Sequence, residues 1–233
     1  MGRGLLSVDW DYFISVKDKC FGSYVENNRT RVDLWYKRYL LCKKQNKNIY
    51  SYFKLSEDVN RFWDQIKRAF IFDNKINVYV SDSHKLSYYI AKAFSCDTVY
   101  LFDAHADLGY VSDRFDEFEV NCSNWLGKLL AEGVIEKAYI VYSPYTFEKP
   151  DDFKHMNDKY NIVYLTPEDL HGRIEIFTLH ICRSGAWTPP WYDNKFMEFV
   201  NSLGLSYEIT DCPKREWNTK NITFSDELYY LMA

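Results

Sequence analysis

The stretch Val99-Tyr100-Leu101-Phe102-Asp103-Ala104-His105-Ala106-Asp107-Leu108 decides how this chain is read. Four apolar residues in a row are the pattern of a strand buried on both faces. Three side chains able to bind a cation follow within five residues. In extended backbone, residues two apart share a side, so Asp103 and His105 face together and Asp107 returns from the turn beyond. Burying three such groups is costly unless a cation neutralises them.

Two other strand ends carry similar chemistry. Ser7-Val8-Asp9-Trp10-Asp11-Tyr12-Phe13 closes a β-type run over Leu6–Phe13 and puts Asp9 and Asp11 on one side. Val80-Ser81-Asp82-Ser83-His84 sets a histidine at a turn from strand to helix. Each also has an ordinary reading: D-x-D serves as a turn or cap, and a lone histidine after a strand often only starts a helix. Together, and leaving Asp82 aside, the three segments supply four carboxylates and two imidazoles. That mixture suits Mn²⁺, Fe²⁺ or Zn²⁺ rather than a thiolate metal. Its size suits two ions about 3.5–4 Å apart that share carboxylates.

The surrounding pattern predicts the fold. Apolar strands at Ile76–Val80, Thr98–Phe102, Ala138–Tyr142, Ile162–Leu165 and Ile174–Cys182 alternate with helices at His84–Phe94, Cys122–Glu132 and Trp191–Leu203, the last two ended by Gly133 and Gly204. This alternation predicts an α/β fold, three-layer α/β/α around a mostly parallel central sheet, with ligands beyond the carboxyl ends of the strands. Residues 14–70 read as a largely helical, polar insert. Within it Arg31–Lys43 is one helix, and Ser56 is an N-cap for another running to about Phe70. No repeat or linker divides the 233 residues, so one domain over 1–233 is expected.

A net charge of only −4 gives no reason to expect nucleic acid as a partner. No apolar run approaches the roughly 20 residues that span a bilayer. The first apolar stretch meets Asp9 too soon for a signal peptide, and Leu6 stands where a myristoylation signal needs Ser or Thr. Cys20, Cys42, Cys96, Cys122, Cys182 and Cys212 include no C-x-x-C pair, which fits reduced thiols. A cytoplasmic location is expected. With 20 Tyr, 16 Phe and 7 Trp, an aromatic core or groove is also expected.

Asp103-Ala104-His105-Ala106-Asp107 resembles the D-A-H-x-D signature of the ureohydrolase superfamily, which includes arginase and agmatinase. Ser81-Asp82-Ser83-His84 resembles its G-G-D-H element, and Ser7-Val8-Asp9-Trp10-Asp11 its S-x-D-x-D element. The resemblance implies an arginase/deacetylase-like fold holding two Mn²⁺ ions, with Fe²⁺ or Zn²⁺ as substitutes. Asp9 and Asp103 would bridge the ions, His84 and Asp107 would complete one site, and Asp11 and His105 the other. In that family the S-x-D-x-D strand follows D-A-H-x-D. Here it comes first, so the order looks circularly permuted. The family's H-G motif is absent, and Asn121-Cys122-Ser123-Asn124-Trp125-Leu126 stands in its place. That C-x-N-W-L element is similar to an arginase-like branch including peptide arginases, which convert arginine to ornithine within ribosomally made peptides. The resemblance covers the motifs and the sheet, not the 14–70 insert.

It implies a hydrolase in which water activated between the ions attacks a guanidinium carbon, releasing urea. The substrate would be an arginine-containing peptide or a small guanidino compound. Asp107, Asn124 and His180 are the candidate catalytic or proton-shuttling groups. Asn124, Trp125, Arg183, Trp187 and Asp193 are the candidate substrate contacts. Trp187 or Trp191 would stack on the guanidinium, Arg183 would bind a substrate carboxylate, and Asp193 or Glu119 would hold the guanidinium by a forked pair of bonds. Asp103, Asp107, Asp113, Asp116, Glu117 and Glu119 against Arg114 make the neighbourhood acidic. The two prolines at 189–190 equally suit a helix start with tryptophans packed in the core. His155 and His171 are expected in exposed loops. Two other readings stay open: amide hydrolysis as in the related deacetylases, and a non-catalytic, metal-stabilised binding protein. A homo-oligomer is compatible with either.

Overall fold

In chain order the strands are β1 (Gly4–Asp9), β2 (Ile14–Val16), β3 (Phe53–Leu55), β4 (Phe70–Ser81), β5 (Thr98–Asp103), β6 (Lys137–Tyr142), β7 (Ile162–Leu165), β8 (Ile174–Cys182) and β9 (Glu208–Asp211). The helices are α1 (Asp33–Lys44), α2 (Phe62–Ala69), α3 (Leu86–Ala93), α4 (Trp125–Ala131), α5 (Lys154–Asn157), α6 (Asp193–Ser202) and α7 (Phe224–Met232). The structure, a computed structural model, describes residues 3–17, 31–109 and 119–232.

Seven strands form one sheet in the order β7-β6-β5-β1-β8-β4-β9, and every neighbouring pair is parallel. Alternation along each strand divides the core in two. Leu5, Val99, Leu101, Ala138 and Ile140 face one side and pack with α3, α4 and α5 through residues such as Ala91, Leu126 and Met156. Leu6, Val8, Phe102 and Val141 face the other, against Trp63 and Ile66 of α2 and Phe196 and Phe199 of α6. Helices thus cover both faces, as a buried parallel sheet requires. Among the described residues no helix is long and apolar enough to cross a membrane.

Three expectations change in detail. The β-type run over Leu6–Phe13 ends at Asp9, and Trp10–Phe13 is a 3-10 turn capped by Asp9, so Asp11 meets Asp9 through that turn and not along an extended strand. Residues 14–70 are not helical throughout: β2 and β3 form an antiparallel pair. That pair is extended by Lys17 N–H donating to the Tyr52 carbonyl and Ser56 N–H to the Phe13 carbonyl. Ser56 caps a short 3-10 turn over Glu57–Asn60, and α2 begins only after it. Strand β4 starts at Phe70 rather than Ile76, because Phe70 and Phe72 already pair with Ile174 and Ile176. The polar residues at 73–75 coincide with a register shift between Phe72 and Asn77, which hides the strand's first half from a hydrophobic pattern.

The register positions the site. Val8 pairs with Phe102, so Asp9 and Asp103 leave adjacent strands side by side. Asp9 lies level with Cys182 of β8, and Ser81 of β4 is level with the same residue. The carboxyl ends of β5, β1, β8 and β4 therefore meet in one row.

Candidate metal centre

Two groups of ligand-type atoms form there and share one residue. Asp9, His84 and Asp103 make the first, and Asp11, Asp103 and His105 the second. His84 Nδ1 lies 3.2 Å from Asp9 Oδ2, 2.9 Å from Asp103 Oδ2 and 2.9 Å from Asp107 Oδ2. His105 Nδ1 lies 3.0 Å from Asp11 Oδ2 and 3.4 Å from Asp103 Oδ1. The two oxygens of Asp103 thus face different imidazoles. Local backbone bonds hold the acids: Asp11 N–H donates to Asp9 Oδ1 at 3.0 Å, Ala104 N–H to Asp11 Oδ1 at 3.2 Å, and His105 N–H to Asp103 Oδ1 at 2.7 Å.

Asp9, Asp103 and His84 are at most 2% exposed, while the His105 side chain is 37% exposed and marks the open side. Burial, reinforced by the charges of Asp11, Asp107 and Asp9, pushes Asp103 well above the usual carboxylate range. Burial and the neighbouring Asp11 also raise Asp9. Burial works against a charged His84, but the close approach of the Asp103, Asp107 and Asp9 carboxylates outweighs it and lifts the imidazole well above its usual range. His105 is lifted well above it too, the charge of Asp11 and bonding to Asp103 overcoming burial. His105 in turn overcomes the effect of burial on Asp11 and holds that carboxyl low. Protons thus gather where negative charge is in excess.

The residues fit a pair of divalent cations. Four carboxylates carry a charge that two such ions balance. Moreover, His84 Nδ1 and Asp103 Oδ2 are buried, and neither makes a well-directed hydrogen bond, although they are 2.9 Å apart. Groups that converge without pairing are costly in a folded interior and are what a coordination shell requires.

The supports around the cluster are specific. Trp125, fully buried at the start of α4, donates its indole N–H to Asp107 Oδ2 at 2.6 Å and sets its ring 5.0 Å from that of His84. The backbone N–H groups of Leu126 and Gly127 donate to the Asp107 carbonyl. A Cβ at Gly127 would sit 2.3 Å from the Leu108 carbonyl oxygen, so only glycine lets α4 approach this closely. The Ser184 hydroxyl donates to Asp9 Oδ2. Asp107 and Ser184 have φ of 50° and 49°, a left-handed conformation that non-glycine residues hold only under constraint. On the remaining side, the β6–β7 connection braces the D-A-H-A-D loop. Ser143 N–H donates to the Asp103 carbonyl at 2.7 Å, and Ala106 N–H to Glu148 Oε2 at 2.7 Å.

All six expected ligand residues meet, whereas most of the expected catalytic and substrate residues do something else. Arg183 is buried, with each guanidinium nitrogen engaged: Nε donates to Asp82 at 2.5 Å, Nη1 to Asp193 at 3.2 Å and Nη2 to the Pro213 carbonyl at 2.8 Å. Asp193 is further clamped by Arg215. Neither is open to a substrate carboxylate or guanidinium. Asp82 faces Arg31 at 2.8 Å and Arg183, and a Cβ on Gly185 would lie 2.7 Å from its oxygens. Asn124 is turned into its own loop, accepting from Asn121 N–H and donating to the Glu119 carbonyl. Trp125 directs its indole N–H to Asp107. His180 is fully buried behind His84, without direct contact with solvent. Burial, and then the neighbouring His84, holds it well below the usual imidazole range, so it is neutral.

Trp191 packs in an aromatic cluster with Trp35, Tyr50 and Phe53, the core reading of the two prolines. Trp187 is half-buried after the Ser184 turn. Glu119, His155 and His171 are exposed. Asp113, Arg114, Asp116, Glu117 and Cys20 lie outside the described residues. Sequence reading missed Ser184, Glu148, Ser7 and Ser87; of these only Ser7 lay inside a motif. No protein-family model, curated protein or solved structure matches the chain.

Proposed function

We propose that this chain is a binuclear-metal hydrolase of the arginase-like class, in a permuted arrangement of that fold, and that it acts on a guanidino group, arginine within a peptide being the favoured substrate. The reading is carried by the two three-ligand groups that share Asp103 at the ends of adjacent strands.

Asp9, Asp103, His84 and Asp107 would hold one Mn²⁺, and Asp11 and His105, with the bridging acids, the other. When bound, such a pair supplies the Lewis acidity that makes water nucleophilic near neutral pH. The protein's own part is positional. Trp125 and the N-terminal amides of α4 orient Asp107, Ser184 orients Asp9, and the half-exposed His105 leaves one side accessible.

One feature favours a cationic substrate. Glu148 adds negative charge beside the cluster. A separate cavity of about 950 Å³, lined by none of the six ligand residues, is bordered by Tyr142 and Tyr164 with Asp58, Glu168 and Arg68. Burial, and then those two acids, pushes the Tyr12 hydroxyl well above its usual range.

The test is metal analysis followed by urea assays with free arginine, agmatine and arginine-containing peptides. Two ions per chain and urea from peptides alone support the proposal. Two ions with no urea from any guanidino compound overturn the guanidino substrate and favour amide hydrolysis or a binding role. A chain that takes up no Mn²⁺, Fe²⁺ or Zn²⁺ overturns the proposal altogether.

A further inference from the structure

Behind His84 runs a closed line of buried polar groups. His84 Nε2 lies 2.7 Å from Ser7 Oγ, which lies 2.8 Å from Ser87 Oγ; Ser87 Oγ lies 2.6 Å from His180 Nδ1. On its other side, His180 Nε2 lies 2.8 Å from Ser81 Oγ, and the Ser81 hydroxyl donates to the Ser83 carbonyl at 2.9 Å. All five side chains are at most 1% exposed. They come from β1, the end of β4, the turn that follows it, α3 and β8.

The last bond sets the direction of all the others. A carbonyl only accepts, and a serine hydroxyl has one proton to give. With its proton on the Ser83 carbonyl, Ser81 accepts from His180 Nε2–H. His180, being neutral, then has a bare Nδ1 that accepts from Ser87. Ser87, its proton spent, accepts from Ser7, and Ser7 accepts from His84 Nε2–H. Each hydroxyl gives once and receives once along this line, and every polar atom from His84 Nε2 to Ser81 Oγ is satisfied. At its end the proton of His84 stands on Nε2. The lone pair of a neutral ring is then on Nδ1, the atom facing Asp9, Asp103 and Asp107. A lone pair directed at three carboxylates repels them unless a proton or a metal cation lies between, and a metal takes the place of that proton.

We propose that His180 is a positioning residue which, through Ser87 and Ser7, fixes His84 in the tautomer that presents Nδ1 as a ligand. The proposal rests on the metal-centre reading and deepens it: one of the two ions depends on a histidine that never touches it. A ligand imidazole whose other nitrogen is held in this way binds metal more strongly, and loss of such a partner costs about 10–100-fold in affinity.

The experiment is Mn²⁺ titration, followed by electron paramagnetic resonance, of the whole chain and of His180→Leu, His180→Asn and Ser87→Ala. An asparagine oxygen can take the Ser87 proton as Nδ1 does, whereas leucine cannot. The expected result is about 10–100-fold weaker binding of one ion in His180→Leu and Ser87→Ala, with the other ion unchanged and substantial recovery in His180→Asn. Repeating the titration in an Asp11→Asn background, where the His84 side binds alone, assigns the weakened ion. Near-UV circular dichroism checks folding, and Ser87→Ala, which removes only a hydroxyl, carries the test if the leucine variant does not fold. Equal weakening of both ions, no recovery with asparagine, or wild-type binding in Ser87→Ala overturns the role of His180 alone. A wild-type chain without affinity for Mn²⁺ overturns this inference together with the proposed function.

Discussion

The indole N–H of Trp125 and the carboxylate of Asp107 meet at 2.6 Å, on the same oxygen that lies 2.9 Å from His84 Nδ1. Trp125 therefore directs one candidate ligand while filling the wall behind another. Trp125→Phe keeps most of that wall and removes the donor. We expect its affinity for one Mn²⁺ to fall about 10–100-fold with little change in melting temperature of the metal-free protein, measured by equilibrium dialysis and calorimetry. Unchanged affinity would remove Trp125 from the metal site.

Asp103 belongs to both ligand groups and Asp11 to only one. Asp103→Asn should therefore abolish tight binding of both ions, and Asp11→Asn of one. Ion counts per chain by mass spectrometry of dialysed protein check this. Equal losses in the two variants would argue against a shared carboxylate.

Metal uptake should stabilise the fold and release protons, because imidazoles and carboxylates that gather protons must give them up to bind. At free Mn²⁺ about 100-fold above the dissociation constant the gain is about 2.7 kcal/mol. It would appear as a rise in melting temperature reversed by a chelator. A melting temperature indifferent to Mn²⁺ and chelator would contradict a resident metal.

Asp82 is fully buried between Arg183 and Arg31. Burial opposes its charge, but the hydrogen bond and charge of Arg183, with Arg215 and Arg31, hold its carboxyl below the ordinary value of 3.8. A lowered carboxylate contributes stability above its unfolded value, and this is lost as pH falls through the folded one. Wild-type protein should thus lose stability below pH 3.8 on this account. Asp82→Asn should be about 3–5 kcal/mol less stable near neutrality and show a shallower acid limb in urea titrations at a series of pH values. Equal stability at pH 7 would show that the arginines are satisfied without Asp82.

Gly127→Ala places a methyl against the Leu108 backbone. A cost of about 1–3 kcal/mol is expected, with Mn²⁺ affinity falling as the Asp107 turn shifts. Thermal melts and metal titration read the two effects separately.

The ligand set was legible because acids and imidazoles crowd just beyond two apolar strands. The period-two reasoning did not hold there: Asp11 lies in a 3-10 turn over Trp10–Phe13 and His105 in the bend after β5. The roles of Arg183 and Asp193 were not legible, since an isolated charge near a cleft looks the same whether it meets substrate or an arginine from another segment. Asp82 meets Arg31 across 51 positions, and no local pattern announces that. Strand β9 escaped reading because all four of its residues are exposed and no apolar alternation marks it. Helix α7 is held by side-chain pairs such as Tyr36 stacked on Tyr230, ring centres 4.3 Å apart, which sequence spacing does not reveal.

The first strand stands in the middle of the sheet, with Leu5 paired to Val99 on one side and to Thr178 on the other. During synthesis β1 therefore waits through most of translation for its second neighbour, and Asp9 for the hydroxyl of Ser184. Pairings this distant in the chain are slow to form. Ribosome-bound chains halted ahead of β8 should remain protease-sensitive around β1, and competence to capture metal should emerge abruptly, late in elongation, rather than grow with length.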